Sequence, residues 1–347
     1  MMLQRTNDID YLAARLHGRK SRMAETERLD RLCRIGSLPD FSATIFPDTE
    51  YRGITDLQHQ LVHESARELS GLTPHLTGPR ARLVDWILIR FRIRNIKILI
   101  RAHIAKMPAH EVRKHLVLLP EGAALGTSIP ATTDSLPAFI GLLPKEKLRK
   151  DFEKALVAYS DNLQPFFLEA VLDCGYFSEL LARVDRLPEE DRDIVRPVAE
   201  QEADIFHMML CIRGKFHYGL TPDLLLPFHV GGTGISRARL TAMLDDPDLD
   251  AAITRLLGHA VDELPSEHRS GGETDGQTHA AHVEALARKR LLRLANSAFR
   301  KSHMGLGAVV GYIIMKFAET ANLITISEGI RLNMAPDTIR GRMVPRA

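Results

Sequence analysis

The sequence predicts an all-α protein, and three observations carry that prediction. Apolar residues recur at three- and four-residue steps through the long segments, the spacing of helices that bury one face. A similar helical outline occurs three times along the chain. Only Trp86 to Arg101 invites a strand, and its length of about sixteen residues with apolar density nearly all round favours a helix there too.

The clearest copy of the outline runs from Val310 to Val344. Tyr312, Leu323, Ile326 and Ile330 share one side of a helix, with Ile313, Phe317 and Ile324 beside them. Lys316, Glu319 and Asn322 follow one another at three-residue steps, so they form a narrow polar stripe whose buried members need partners. Gly329 and Pro336 mark the end of that helix and the start of a short one, with Asp337 in its first turn. Leu83 to Val117 repeats the pattern, with Asn95, Met107, Arg113 and Val117 in register with Asn322, Met334, Arg340 and Val344. Val198 to Val230 is a third copy. It carries Glu202 and Asp204 inside an apolar helix, Arg213 and Lys215 near the end, and Pro222 opening the next helix.

At 347 residues with 45% hydrophobic content, the chain can bury a large core, and its length suggests two or three units. Lys and Arg number 46 against 44 Asp and Glu, so it lacks the cationic surplus of a nucleic-acid binder. Cys33, Cys174 and Cys211 are far apart and form no CxxC pair, which indicates neither a disulfide framework nor a cysteine zinc site and suits a reducing cytosol. The start, MMLQRTNDIDYLAARL, lacks a signal-type apolar core. The longest apolar run, Met304 to Met315, is too short to cross a bilayer before it meets Lys316 and Glu319.

Asn7 to Arg34 reads as one long helix capped by Asn7 or Asp8, with Leu12, Leu16 and Met23 along its apolar side. Its Arg15, Arg19, Lys20 and Arg22 read most simply as a solvated face, with a binding patch as the alternative. Gly36 and Pro39 break it, a short segment spans Phe41 to Ile45, and Leu57, Leu61, Ala66 and Leu69 predict a helix ending near Gly71. Residues 71 to 80 read as a loop, and the arginines of Trp86 to Arg101 must snorkel or meet acidic partners. The small polar stretch after Pro120 marks a boundary between units. Helices follow at Lys145 to Tyr159 and Phe166 to Val184, the latter with Glu169 and Asp173 one turn apart. GGTGI at Gly231 to Ile235 lacks the lysine and serine of a phosphate-binding loop and reads as a turn. Ser266 to Ala280 is polar and loop-like, and Glu284 to Arg300 returns to helix. Gly307 and Gly311 have the spacing of close helix contact.

Several of these segments, in this order, resemble the C subunit of archaeal-type and bacterial vacuolar-type ATPases, the family that includes the eukaryotic d subunit. The resemblance rests on Tyr11 to Arg15 with Arg19, Ser21 and Met23, on Asp48 to Tyr51, and on Asn95 to Arg101. It continues through Leu168, Glu169, Asp173, Tyr176 and Phe177, then Glu202 to Ile205 with Arg213 and Lys215. It ends on Gly311, Tyr312, Lys316, Glu319, Asn322, Leu323, Ile326 and Gly329. Arg92 and Arg94 depart from the family pattern, which favours acidic residues there.

The resemblance implies three similar helical lobes, 1–125, 126–240 and 241–347, arranged as a pseudo-threefold funnel, with the N-terminal helix able to pack across lobes. It implies a non-catalytic central-stalk subunit on the cytoplasmic face of the membrane, without cofactor, metal or nucleic acid. Its partners would be the central shaft subunits of the catalytic head and the membrane proteolipid ring, with no span of its own. Asn95, Glu202, Asp204, Glu319 and Asn322 are the expected structural polar residues, cross-linking helices within lobes. The competing reading is a helical hydrolase or metal enzyme. It would use His59 and His63, one turn apart, or the carboxylates Glu169 and Asp173, but no third ligand or nucleophile with its base can be named.

Overall fold

The computed structural model describes residues 8–49, 51–120, 136–144, 146–158, 164–248, 252 and 276–344. Every regular element among them is helical. In chain order these are α1 (Asp8–Lys20), α2 (Thr26–Cys33), α3 (Leu38–Ile45), α4 (Ile54–Ser70), α5 (Gly78–Ile104) and α6 (Ala109–His115). Then come α7 (Glu146–Ala158), α8 (Pro165–Val184), α9 (Glu189–Met209), α10 (Pro222–Leu225) and α11 (Arg237–Asp245). Last are α12 (Gly276–Ser302), α13 (Leu306–Arg331) and α14 (Pro336–Arg342). The ambiguous Trp86 to Arg101 lies wholly inside α5.

Two sequence expectations are revised. The long N-terminal helix is interrupted at residues 21–25, because the Ala24 N–H turns out of the helix to donate to the Glu319 carboxylate and Thr26 adopts φ 44°. Residues 71–80 are more ordered than a loop: a 3₁₀ turn at Thr73–His75 leads into α5, whose Pro79 suits the first turn because it lacks the N–H left orphaned there. Most of the small polar stretch after Pro120 and of Ser266 to Ala280 lies outside the described residues, although α12 begins at Gly276.

The three copies share a common end. After α5, Met107 N–H donates back to Ala102 O (2.8 Å), and Lys106 takes φ 51°. After α13, Met334 N–H donates to Gly329 O (2.9 Å), with Asn333 at φ 52°. In the middle copy Leu220 N–H donates to Gly214 O (2.9 Å), with Gly219 at φ 65°. This left-handed cap consumes orphan carbonyls and reverses the chain into the short helix that follows. The middle copy carries one extra residue, which the π-helical stretch Leu210–His217 absorbs. Glycine lets the short helix sit close: a Cβ on Gly214 would strike Leu225 of α10, and one on Gly329 would strike Ile339 of α14.

The copies also pack cyclically. The first long helix of each lies on the second long helix of another: α8 on α5, α12 on α9, and α4 on α13. α1 also lies on α13. One large core runs through all three copies. A smaller one joins α2, α3 and the start of α4 to the ends of α13 and α14, through Leu32, Phe41, Leu57, Ile326 and Ile339. Gly307 and Gly311 let α13 cross α12 closely, because a Cβ on either would fall within 3.0 Å of α12 backbone. By length and composition α13, with mean hydropathy 1.4 over its most apolar window, could cross a membrane. Here it is packed by α1, α4, α9 and α12.

Candidate functional site: polar latches and a shared cluster

Asn95 is buried at the middle of α5, and its amide closes both bonds on one residue. Nδ2 donates to Val117 O (2.8 Å), and Oδ1 accepts from Val117 N–H (3.0 Å), 22 residues later. Asn322 repeats the device on α13, where Oδ1 accepts Val344 N–H (2.7 Å), again 22 residues later. The sequence register between these copies is therefore a structural one. In the middle copy the position belongs to His207, which sequence reasoning did not single out. Its Nε2 accepts Val230 N–H (2.9 Å) across 23 residues, the extra one being the π-helical insertion.

His207 is fully buried and stacks on His229, with ring centroids 4.9 Å apart and planes at 8°. Because Nε2 accepts, Nδ1 carries the hydrogen and faces Asp204 Oδ1 at 3.9 Å. Burial, together with the neighbouring His229, lowers the His207 pKa despite Asp204. Asp204 in turn accepts Ile235 N–H (2.8 Å), and a Cβ on Gly234 would fall against its carboxylate. The GGTGI segment is thus a turn strapped to α9, as its composition suggests.

Glu319 accepts Ala24 N–H and pairs with Lys316 at 2.7 Å; Lys316 also reaches Glu68 on α4 at 3.1 Å. Burial opposes the Lys316 charge, but Glu319 and Glu68 outweigh it and hold the ammonium above its ordinary value. Glu68 also accepts from Tyr312; despite its burial, Lys316 and Tyr312 hold its pKa below the usual carboxylate value. Burial and the bond to Glu68 push the Tyr312 phenol up.

Glu202 pairs with Arg90, whose Nη2 donates to Glu202 Oε1 (2.8 Å) and to the Tyr176 hydroxyl (3.0 Å). The same guanidinium lies 4.3 Å from the ring centroid of Phe317. In the register set by Asn95, His207 and Asn322, the residue five places earlier is Arg90, Glu202 and Phe317 respectively. Three equivalent side chains, one from each copy, therefore meet at one point. Burial opposes ionisation of Arg90, and Glu202 more than compensates. Tyr176, buried beside them, has its pKa pushed up to about 12.

Three further cations of α5 find acidic partners on α8 and α9: Arg80 with Asp191 (2.6 Å), Lys97 with Asp173, and Arg101 with Glu169 (2.6 Å), whereas burial lowers the pKa of Arg92 and Arg94. The carboxylate pair Glu169 and Asp173 is engaged by these cations. His63 Nδ1 bonds Leu118 O (2.7 Å), and His59 is held below its ordinary pKa by burial and by Arg94. Among the described residues no three His, Cys, Asp or Glu side chains gather as metal ligands would. Of the five polar positions expected from sequence, Glu319 and Asn322 line one cavity of about 520 Å³ between α2, α12 and α13. Asn95, Glu202 and Asp204 line no part of it and bind elsewhere in the framework.

Such an arrangement defines a class: an all-helical, internally triplicated scaffold whose buried polar groups fasten helices to one another. Comparison with known proteins gives the family. The profile described as ATP synthase (C/AC39) subunit matches residues 12–342, and the chain belongs to that family. It is similar to the A-type ATP synthase C subunit of Methanothermobacter thermautotrophicus, 25% identical with 96% of this chain and 87% of the relative covered. The corresponding protein of Methanocaldococcus jannaschii is 23% identical over 96% and 86%. That of Methanosarcina barkeri is 21% identical over 98% and 93%.

Proposed function

We propose that the chain is a non-catalytic connector in the central stalk of a rotary ATPase, holding the rotating shaft of the catalytic head to the membrane proteolipid ring. Its three lobes, 1–125, 126–240 and 241–347, would close into a funnel about a pseudo-threefold axis, so that the shaft sits in the funnel and the ring lies beneath it. The observation that carries this reading is the meeting of Arg90, Glu202 and Phe317, equivalent positions of three cyclically packed copies. A coupling element must resist twist. Helices that each brace a neighbouring copy and are cross-linked by buried ion pairs supply that stiffness, and each interface under load should bury on the order of 1,200 Å² or more.

In this reading the chain rests on the cytoplasmic face through its partner ring, with α13 serving as a core helix. ATP cleavage belongs to other subunits, and this chain contributes no cofactor or metal. Asn95, Glu202, Asp204, Glu319 and Asn322 hold the framework. The test is reconstitution of the complex in vesicles with and without this chain, following phosphate release and ion uptake together. Without it, cleavage by the isolated head should persist while ion uptake stops. Loss of cleavage by the head, or full ion uptake in its absence, would overturn the proposal.

A further inference from the structure

A second concave site lies where α1 and α4 lean on α13, a cavity of about 430 Å³. At the α5–α8 contact, Lys97 pairs with Asp173 and Arg101 with Glu169, cation for carboxylate. Here the balance differs: Arg15, Arg19, Arg22, Arg67 and Lys316 face only Glu64, Glu68 and Glu319. The carboxylates are already engaged at the floor and rim, Glu68 and Glu319 by Lys316 and Glu64 by Arg67.

The surplus sits on Arg15, Arg19 and Arg22, which succeed one another along one side of α1 and just past its end. Arg15 stacks over Tyr11 at 5.5 Å, and its guanidinium meets the imidazole of His75 at 3.1 Å; no carboxylate among the described residues pairs with it. Arg22 is exposed and has no ion pair among the described residues. Arg19 Nη1 lies 3.6 Å from Glu68 Oε1, an ion pair too long for a hydrogen bond, and this buried nitrogen makes no hydrogen bond among the described residues. A solvated basic face would leave its guanidinium donors in water. A buried, unsatisfied guanidinium donor at the wall of a cavity costs free energy that an anionic acceptor would recover.

The geometry points to a binding site for a small polyphosphate anion, with Arg15, Arg19 and Arg22 as its ligands and the Lys316, Glu68 and Glu319 cluster fixing the floor. Several guanidiniums along one wall match linked phosphates better than a single one, and the volume accommodates either inorganic pyrophosphate or a nucleotide carrying the same group. The site is independent of the connector role.

The experiment is calorimetric titration of the purified full chain at low salt with inorganic pyrophosphate and, separately, with ATP. Saturable one-to-one binding that weakens as salt rises is expected. The Arg15→Gln and Arg22→Gln variants should each weaken it by about tenfold, and Arg237→Gln, on α11, should leave it unchanged. Equal binding of both ligands assigns the contact to the bare polyphosphate; binding of ATP alone assigns it to nucleotide-borne polyphosphate. Because Arg22 is exposed, its variant retains the fold and keeps the test decisive if Arg15→Gln unfolds. Absence of saturable binding by both ligands, or unaltered binding in Arg22→Gln, overturns the inference.

Discussion

Arg90 lies 4.3 Å from the ring centroid of Phe317, its own counterpart in the third copy, while donating to Glu202, its counterpart in the second. If the three copies are related about one axis, as proposed, equivalent positions come together near it. Identical side chains would crowd one another there. A cation, an anion and an aromatic ring are mutually attractive at the same point.

Removing that cation tests the cluster. Glu202 is about one-tenth exposed, so Arg90→Leu would strand its carboxylate away from water. The expected loss is roughly 2 to 3 kcal/mol, somewhat under the range for a fully buried pair because Arg90 itself is about one-quarter exposed. The double variant Arg90→Leu with Glu202→Leu should lie closer to the parent than the single one. Urea midpoints measure both, and a double variant weaker than the sum of the two single ones would contradict the pairing.

How much of this was legible beforehand depended on sequence distance. The pairing of Asn95 with Val117 and of Asn322 with Val344 lay within one repeat, so the matching spacing exposed the register. In the middle copy a histidine replaces the asparagine and the π-helical stretch shifts the register by one, which hid His207. Glu202 and Asp204, which the sequence marks there, fasten α9 to α5 and to the turn at Ile235, not to the end of their own repeat. The break in the N-terminal helix was illegible for a plainer reason. The acceptor that draws Ala24 away is Glu319, 295 residues distant. The partners of the α5 cations, on α8 and α9, were equally remote.

Glu319→Leu removes the acceptor of the Ala24 N–H and half of the Lys316 pairing. It should cost about 1 to 3 kcal/mol, the penalty for leaving buried partners unsatisfied, whereas Glu153→Leu on the exposed side of α7 should stay within about 0.5 kcal/mol. Equal urea midpoints for the two would contradict the assignment.

Gly311→Val tests the crossing of α12 and α13. A Cβ at this position would lie 3.0 Å from Phe299 N and nearer still to Ala295 O, both backbone atoms that move only with their helix. Separation of the helices should cost roughly 1 to 3 kcal/mol. Gly141→Val, where a Cβ meets nothing within 4 Å, is the control. Comparable thermal midpoints would show that the helices do not need the close approach.

His207 makes stability depend on pH in a direction that can be worked out. Its folded pKa is depressed below the ordinary 6.5, chiefly by burial, so between that depressed value and 6.5 the unfolded chain binds the extra proton more readily. Stability from this group is therefore complete above 6.5 and falls as pH drops toward the folded value. The groups facing the ring are Asp204 on its own helix, which opposes the shift, and His229, which adds to it. Protonation at Nε2 would also remove the acceptor of Val230 N–H, which ties α9 to the start of the Gly231 to Ile235 turn. Glutamine at 207 offers an uncharged oxygen with comparable reach, so His207→Gln should preserve much of the stability at pH 8 yet flatten its decline below pH 6.5. Urea midpoints across that range, with amide exchange at Val230 as the local readout, measure the effect. A parent and variant with parallel pH profiles would show that His207 is not the titrating group.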